Sequence, residues 1–360
     1  MRIAILAPSI TSHDAVSNDV LGMYGALQNA GEVRIFAEGW SLTEPRIFSS
    51  SKLESFLKKS DDILIYHFAR GWEPALPLLN SLKCRKIIKY HNITPAKFFA
   101  RYSADFANQC REGRLQLRLI ATSDTDLFLS ASGYNMRELL AEGAPETKSF
   151  ALPPFHHIDR LHSIEADAAV LDQFQNGHVN VCTVGRLTPN KGHPQLIAAF
   201  AAYHHEYNPR SRLIIVGKHE TRLAKYGALL RALIKRLALE HAVTFTGGVS
   251  DNALKAFYTI ADMFVTTSEH EGFCVPLVEA MALKVPIVAY GSSAIPETVG
   301  QAGIVWEQSN PFLMAESINA IASDSSLSAG LAQMGWGRYQ DLFTNQRIGS
   351  EFLSALRTLS

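Results

Sequence analysis

The chain reads as α/β, built as two doubly wound parallel sheets in tandem. Three observations predict this. Short apolar runs alternate with longer amphipathic ones, the alternation breaks at a turn-rich stretch around residues 153–177 and restarts beyond it, and 360 residues suffice for two domains of ordinary size. In the first half, strands are expected at 3–7, 33–36, 63–66, 86–90 and 127–130, with helices at 17–30, 52–58, 73–80, 95–118 and 135–141. Strand and helix taking turns is the pattern of a parallel sheet covered on both faces. In the second half, strands are expected at 179–184, 213–216, 243–246, 263–266 and 287–289, with helices at 194–207, 223–239, 251–259, 276–283 and 311–322. These runs place a first domain at 1–165 and a second at 175–335. A helical segment at 336–360 has no strand of its own to cover and is expected to pack back on the first domain.

Composition excludes several classes. There are 34 basic and 34 acidic residues, and 47% of positions are hydrophobic. Neutrality with that hydrophobic content excludes a disordered chain and argues against bulk nucleic-acid binding, which needs many cations. The neutrality is not uniform. Residues 83–118 hold nine basic residues against Asp105 and Glu112, a net of +7, with Phe98, Phe99, Tyr102 and Phe106 interleaved. Those aromatics are either core residues beneath a solvated charged face or an edge that leans on anionic lipid. Cys84, Cys110, Cys182 and Cys274 form no CxxC pair, so reduced thiols and a cytoplasmic location are expected, with neither disulfide framework nor zinc site. No run of 18 apolar residues occurs, so any membrane contact is expected to be peripheral.

Residues suited to chemistry cluster at the carboxyl ends of the second-half strands, where doubly wound sheets bind ligands. Gly185-Arg186-Leu187-Thr188-Pro189-Asn190-Lys191-Gly192 sets two cations five residues apart in a glycine-bearing turn, a spacing that can hold a diphosphate from two sides. In isolation such a turn is usually just solvated. Gly217-Lys218 and Gly247-Gly248-Val249 end the next two strands. Then comes Glu271-Gly272-Phe273-Cys274-Val275-Pro276, where Pro276 suits the start of a helix whose amides favour an anion. Glu279, eight residues after Glu271, falls within that helix, where a carboxylate can accept from a ribose diol. Glu279 would equally suit a helix N-terminus on electrostatic grounds alone.

Taken together, Gly185-Arg186-Leu187, Lys191-Gly192, Glu271-x7-Glu279 and Pro286-Ile287-Val288-Ala289 resemble the retaining glycosyltransferases of family 4, of the bacterial polysaccharide and lipopolysaccharide type. The similarity is dense over residues 179–300 and looser before them. It implies the GT-B fold, two Rossmann-like domains facing a central cleft, with 1–165 binding the acceptor and 175–335 the nucleotide-sugar donor. It further implies that Arg186 and Lys191 neutralise the donor diphosphate, that Glu279 binds the ribose and Glu271 the transferred sugar. Gly185, Lys218, Gly272, Phe273, Cys274 and Val275 would line the donor, and Val249 would lie near the base. In the first half, Lys89-Tyr90-His91 matches the family's strand ending in His, which implies that His91 lies over the sugar.

One departure stands out. The family's first loop usually carries a glycine pair, and here it reads Ser12-His13-Asp14-Ala15-Val16-Ser17-Asn18-Asp19. Asp14 and Ala15 are candidates to approach the diphosphate or the acceptor, with helix capping by Ser17 or Asn18 as the plain alternative. Asp124-Thr125-Asp126 has the spacing of a metal-binding Asp-x-Asp but sits before a strand, so it reads as a turn. With Arg186, Lys191 and a helix N-terminus available, no metal and no cofactor are expected. The expected partners are a nucleotide sugar, GDP-mannose ahead of UDP sugars, and a saccharide or polyprenyl-diphosphate-linked acceptor. Two other readings remain: a non-catalytic nucleotide-sugar-binding or partner subunit, and an epimerase of the same fold.

Overall fold

The computed structural model describes residues 1–12 and 14–359, so His13 of the first loop lies outside the described residues. The chain divides into two compact units. One comprises residues 1–96, 105–157 and 343–360, and the other residues 97–104 and 158–342. Each unit is built on one all-parallel sheet.

The first unit holds β1 (Arg2–Ile10), β2 (Glu32–Trp40), β3 (Ile47–Ser49), β4 (Ile63–Phe68), β5 (Arg85–Tyr90), β6 (Leu127–Ser130) and β7 (Ser149–Ala151). They lie in the order β3-β2-β1-β4-β5-β6-β7. The strands are apolar nearly throughout because both faces are covered, and their residues sort by parity. Leu64, Tyr66, Phe68, Ile88 and Tyr90 join the core on one face, while Ile63, Ile65 and Ile87 join the core on the other. The second core also takes Val20 and Met23 from the helix Ala15–Ala26, and Ile348 and Phe352 from the helix Asn345–Arg357. Full burial of two such side chains is worth about 1.5–3 kcal/mol each. That is why the last helix belongs to the first unit although it ends the chain.

The second unit holds β8 (Val179–Val184), β9 (Ser211–Val216), β10 (Val243–Gly247), β11 (Met263–Thr266), β12 (Ile287–Tyr290) and β13 (Ile304–Trp306), in the order β10-β9-β8-β11-β12-β13. The strand order in each sheet reverses once, between β1 and β4 in the first and between β8 and β11 in the second. Beyond the carboxyl ends at such a reversal, the connections diverge to opposite sides and leave a crevice.

Several sequence expectations are corrected. The first helix starts at Ala15 rather than 17, because Asp14 caps it by accepting from the Ser17 backbone N–H and hydroxyl, both at 2.9 Å. Neither Ser17 nor Asn18 is the cap. The helix expected over 95–118 is a short turn, Ala96–Phe98, followed by a separate helix, Ala104–Ala121. Strands β3, β7 and β13 are three residues each and too short to show a period.

Of the two readings of the aromatics around 98–106, the packing of three of them matches the core one. Phe99 is buried, the Phe98 ring lies 6.1 Å from that of His270, and Tyr102 meets Tyr226 edge-on at 5.1 Å. The exposed apolar residues in this region are instead Leu115 and Leu119, one turn apart on the helix Ala104–Ala121. No helix among the described residues is long and apolar enough to cross a membrane.

Candidate functional site

In the second unit, the loops after β8 and β11 meet at the reversal of strand order. Lys191 comes from the first and Glu271 from the second, and Lys191 Nζ donates to Glu271 Oε1 at 2.6 Å, with side chains 19% and 10% exposed. Burial disfavours the Lys191 ammonium, but the Glu271 carboxylate outweighs it and the pKa is raised, so Lys191 is charged. The two loops are also tied by backbone. Asn190 Nδ2 donates to His270 O at 3.1 Å, and the Glu269 N–H donates to Asn190 O at 2.8 Å.

Glycine makes these approaches possible. Gly192 has φ 65°, and a Cβ there would lie 2.1 Å from Thr267 O; Gly217 has φ 155°, and a Cβ there would lie 1.8 Å from Gly185 O. The ends of β8 and β9 can therefore run backbone to backbone, and the Leu187 N–H donates to Lys218 O at 3.1 Å. Arg186 and Lys218 stand exposed on these joined loops.

Cys274 adopts φ 73° and turns the chain into the helix Val275–Ala282, with Pro276 in its first turn. The Glu271 N–H donates to Ser293 Oγ at 2.7 Å, and Thr298 Oγ1 donates to Phe273 O at 2.7 Å, so both ends of the Gly272–Cys274 turn are pinned. Glu279, one turn into the helix, is 4% exposed and accepts from the Tyr258 hydroxyl at 2.7 Å. Burial and the neighbouring Glu279 charge both push the Tyr258 phenol up, so it stays a donor. Burial raises the Cys274 thiol, so it is no thiolate. Val249 packs with Phe174 and Phe257 in the core beyond β10, while Gly185 and Gly272 are partly exposed. This edge thus gathers Arg186, Lys191, Lys218 and Glu271 from the loops after β8, β9 and β11, and Glu279 from the helix that follows, with the charges that a sugar diphosphate needs: cations for phosphate and carboxylates for hydroxyls.

The first unit has a second polar cluster at its own reversal of strand order. His67 lies in register with Lys89 across β4 and β5, and both face the core side of Ile65 and Ile87. His91 follows on the same parity, and Asp19 comes from the helix after β1. His67 Nδ1 lies 2.9 Å from His91 Nε2, and the rings stack at 5.1 Å. Asp19 Oδ2 lies 3.4 Å from His91 Nε2, 3.7 Å from His67 Nδ1 and 3.9 Å from Lys89 Nζ. Asp19 Oδ1 accepts from the Phe155 N–H at 2.8 Å, and Lys89 Nζ donates to Leu152 O.

Burial pushes His67 down to about 3 and His91 well below the usual histidine range, each aided by the Lys89 charge; burial raises Asp19 to about 6 against the pull of Lys89. At neutral pH both imidazoles are neutral and Asp19 is mostly ionised. Three donor atoms within 4.8 Å have the make-up of a metal site. Yet the Lys89 ammonium already supplies positive charge here, and the 2.9 Å histidine pair uses a lone pair that a cation would need.

Of this cluster the sequence marks His91 but not its supports Asp19, His67 and Lys89, and it does not mark Tyr258 behind Glu279. A signal for one of them exists: His67 interrupts a strand that is otherwise apolar, whereas Lys89 shares its strand with Arg85 and Lys86 and does not stand out. The Asp124-Thr125-Asp126 stretch is a turn, as expected, with Asp126 Oδ2 accepting from the Lys86 N–H at 2.7 Å.

Residues 172–335 match the family model described as glycosyl transferases group 1. The chain is 27% identical over 225 residues to a GDP-mannose-dependent alpha-(1-6)-phosphatidylinositol monomannoside mannosyltransferase of Mycobacterium tuberculosis, covering 59% of this chain and 57% of that one. It is 30% identical over 155 residues to the O-antigen chain mannosyltransferase B of Escherichia coli, covering 42% and 40%. The matched stretch thus spans about half the length of these curated relatives. Among solved structures, Anabaena HepE in complex with UDP and glucose superposes with a TM-score of 0.78 at 17% identity, covering 99% of this chain and 100% of that one. Sucrose-phosphate synthase of Thermosynechococcus elongatus gives 0.79 at 19%, covering 100% and 99%. The chain has the fold of the GT-B glycosyltransferases, with a glycosyl transferases group 1 match across its second sheet.

Proposed function

We propose that the protein is a retaining, metal-independent glycosyltransferase of family 4 that moves a hexose from a nucleotide sugar to a saccharide or lipid-linked saccharide. The observation that carries this reading is the buried Lys191–Glu271 pair at the reversal of the second sheet, beside Glu279 held by Tyr258. Lys191 and Arg186 stabilise the charge that develops on the leaving diphosphate, which removes the need for a metal. Glu279 accepts from the ribose and Glu271 from hydroxyls of the transferred sugar, His91 of the first unit accepts from a substrate hydroxyl, and the leaving phosphate takes the acceptor's proton. The preference for GDP-mannose draws support from the mannosyltransferases to which the chain is similar.

Peripheral contact with an anionic membrane belongs to the same proposal. Leu115 and Leu119 stand exposed, 72% and 53%, on a helix that also carries exposed Arg111 and Arg118. The test is a panel of GDP and UDP sugars offered with saccharide and glycolipid acceptors in chelator, the product's anomeric configuration being read by NMR. Transfer with retention supports the proposal; transfer with inversion, or transfer only when metal is restored, overturns the mechanism. Donor binding with neither transfer nor hydrolysis favours the non-catalytic alternative.

A further inference from the structure

The groups behind His91 decide which of its ring nitrogens carries the proton. His67 Nδ1 and His91 Nε2 are 2.9 Å apart, so one of them holds the hydrogen that the other accepts. Asp19 Oδ2 breaks the tie. It is closer to His91 Nε2, at 3.4 Å, than to His67 Nδ1, at 3.7 Å, and is fully buried without a hydrogen bond of its own among the described residues. A hydrogen on His67 would leave the His91 Nε2 lone pair facing a buried carboxylate, two acceptors 3.4 Å apart. A hydrogen on His91 Nε2 bonds His67 Nδ1 instead and turns a polarised N–H, rather than a lone pair, toward the Asp19 carboxylate at 3.4 Å, an electrostatic contact without a hydrogen bond. His67 Nε2 has no partner among the described residues in either arrangement: it carries the ring hydrogen when His91 holds Nε2–H and a lone pair otherwise, and the full carboxylate charge beside His91 outweighs that unpaired N–H. Lys89 at 3.9 Å and the Phe155 N–H at 2.8 Å help hold Asp19 as the anion.

We infer that Asp19 and His67 are positioning residues that lock His91 as its Nε2–H tautomer and so present Nδ1 as an unprotonated acceptor for a substrate hydroxyl. A neutral imidazole carries one ring proton, so fixing it on Nε2 leaves a lone pair on Nδ1. The hydroxyl-accepting part rests on the proposed glycosyltransferase reading; the tautomer does not. Asp19→Asn tests the arrangement, because the carboxamide can turn its NH2 toward His91 Nε2, which then accepts and sends the proton to Nδ1. The same substitution in the Ser-His-Asp triad acts by this tautomer change.

The experiment is long-range 1H–15N correlation NMR on the full chain with 15N-labelled histidine, His91 being assigned by comparison with His91→Gln. Expected are a protonated Nε2 and an unprotonated Nδ1 in the native protein, reversed in Asp19→Asn. A native His91 protonated on Nδ1, or a tautomer unchanged in a folded Asp19→Asn, overturns the inference; if that variant does not fold, the native spectrum alone decides. In turnover, Asp19→Asn is expected to lower kcat/KM roughly 10- to 100-fold, the range of one hydrogen bond lost to a buried partner. A reversed tautomer with undiminished turnover overturns the acceptor role. A native protein that holds the Nε2–H tautomer but transfers no sugar counts against the proposed function and leaves the tautomer standing.

Discussion

Truncating Lys191 separates the structural from the chemical role of the Lys191–Glu271 pair. Removing one partner of a fully buried ion pair costs about 3–5 kcal/mol, because the other charge is left in a poor solvent, whereas an exposed pair is worth about 0–1 kcal/mol. With side chains 19% and 10% exposed, this pair sits nearer the buried limit, so Lys191→Ala should cost about 2–4 kcal/mol. For a unit of this size that lowers Tm by roughly 4–15 °C. Adding Glu271→Gln removes the stranded charge, and the double variant should recover at least half of the loss. Turnover should not recover, since a missing cation at the leaving diphosphate costs about 100- to 1,000-fold. The assay pairs calorimetric melts with donor turnover for both single variants and the double. Stability losses that add within about 0.5 kcal/mol, or Lys191→Ala turnover within threefold of native, would refute the reasoning.

Three further outcomes are expected. Gly217→Ala places a Cβ 1.8 Å from Gly185 O and should cost on the order of 3–5 kcal/mol in chemical denaturation, whereas Gly25→Ala, in an open helix position, should be neutral or stabilising by about 0.5–1 kcal/mol. Tyr258→Phe removes the 2.7 Å bond to Glu279 and should weaken nucleotide affinity roughly 5- to 30-fold in titration, with the melt lowered only modestly. His67 is held at about 3, so as pH falls below its unfolded value near 6.5 the unfolded chain takes up a proton that the native one refuses. Stability is thus lost between about pH 6.5 and 3. Asp19, raised to about 6, pulls the other way between about pH 4 and 6, because there the native state binds the extra proton. His67→Gln should therefore lessen the acid-side fall measured by urea midpoints from pH 7 to 4, what remains coming from His91 and His193, which burial also lowers.

What was legible in the sequence was whatever has a period or a fixed local spacing. Strands such as Ile63–Phe68 announce themselves as buried apolar runs, and Gly185-Arg186, Lys191-Gly192 and Glu271-x7-Glu279 lie within single loops or adjoining turns. Contacts that depend on which strands become neighbours were not legible. His67 and Lys89 meet only because β4 pairs with β5 in that register, and Asp19 reaches them only because β1 lies beside β4. Tyr258 is 21 residues from Glu279 on another helix, and nothing local marks it. The break in the helix expected over 95–118 is likewise tertiary, because residues 97–104 group with the second unit while Ala104–Ala121 runs on as a separate helix.

The most direct test of the central claim, that the carboxyl edge of the second sheet holds a nucleotide-sugar diphosphate, is a calorimetric titration of GDP and GDP-mannose into native protein and Arg186→Ala in chelator-treated buffer. The Arg186 side chain is exposed and makes no hydrogen bond or ion pair among the described residues, and its backbone carbonyl, which accepts from the Thr188 N–H, is kept in alanine, so the substitution should leave the fold intact. The account predicts saturable binding to the native protein at one site and binding at least about tenfold weaker in the variant, the loss of one charged phosphate contact. Equal affinity in the two proteins, or no saturable binding of these ligands or their uridine counterparts to the native chain, would contradict it.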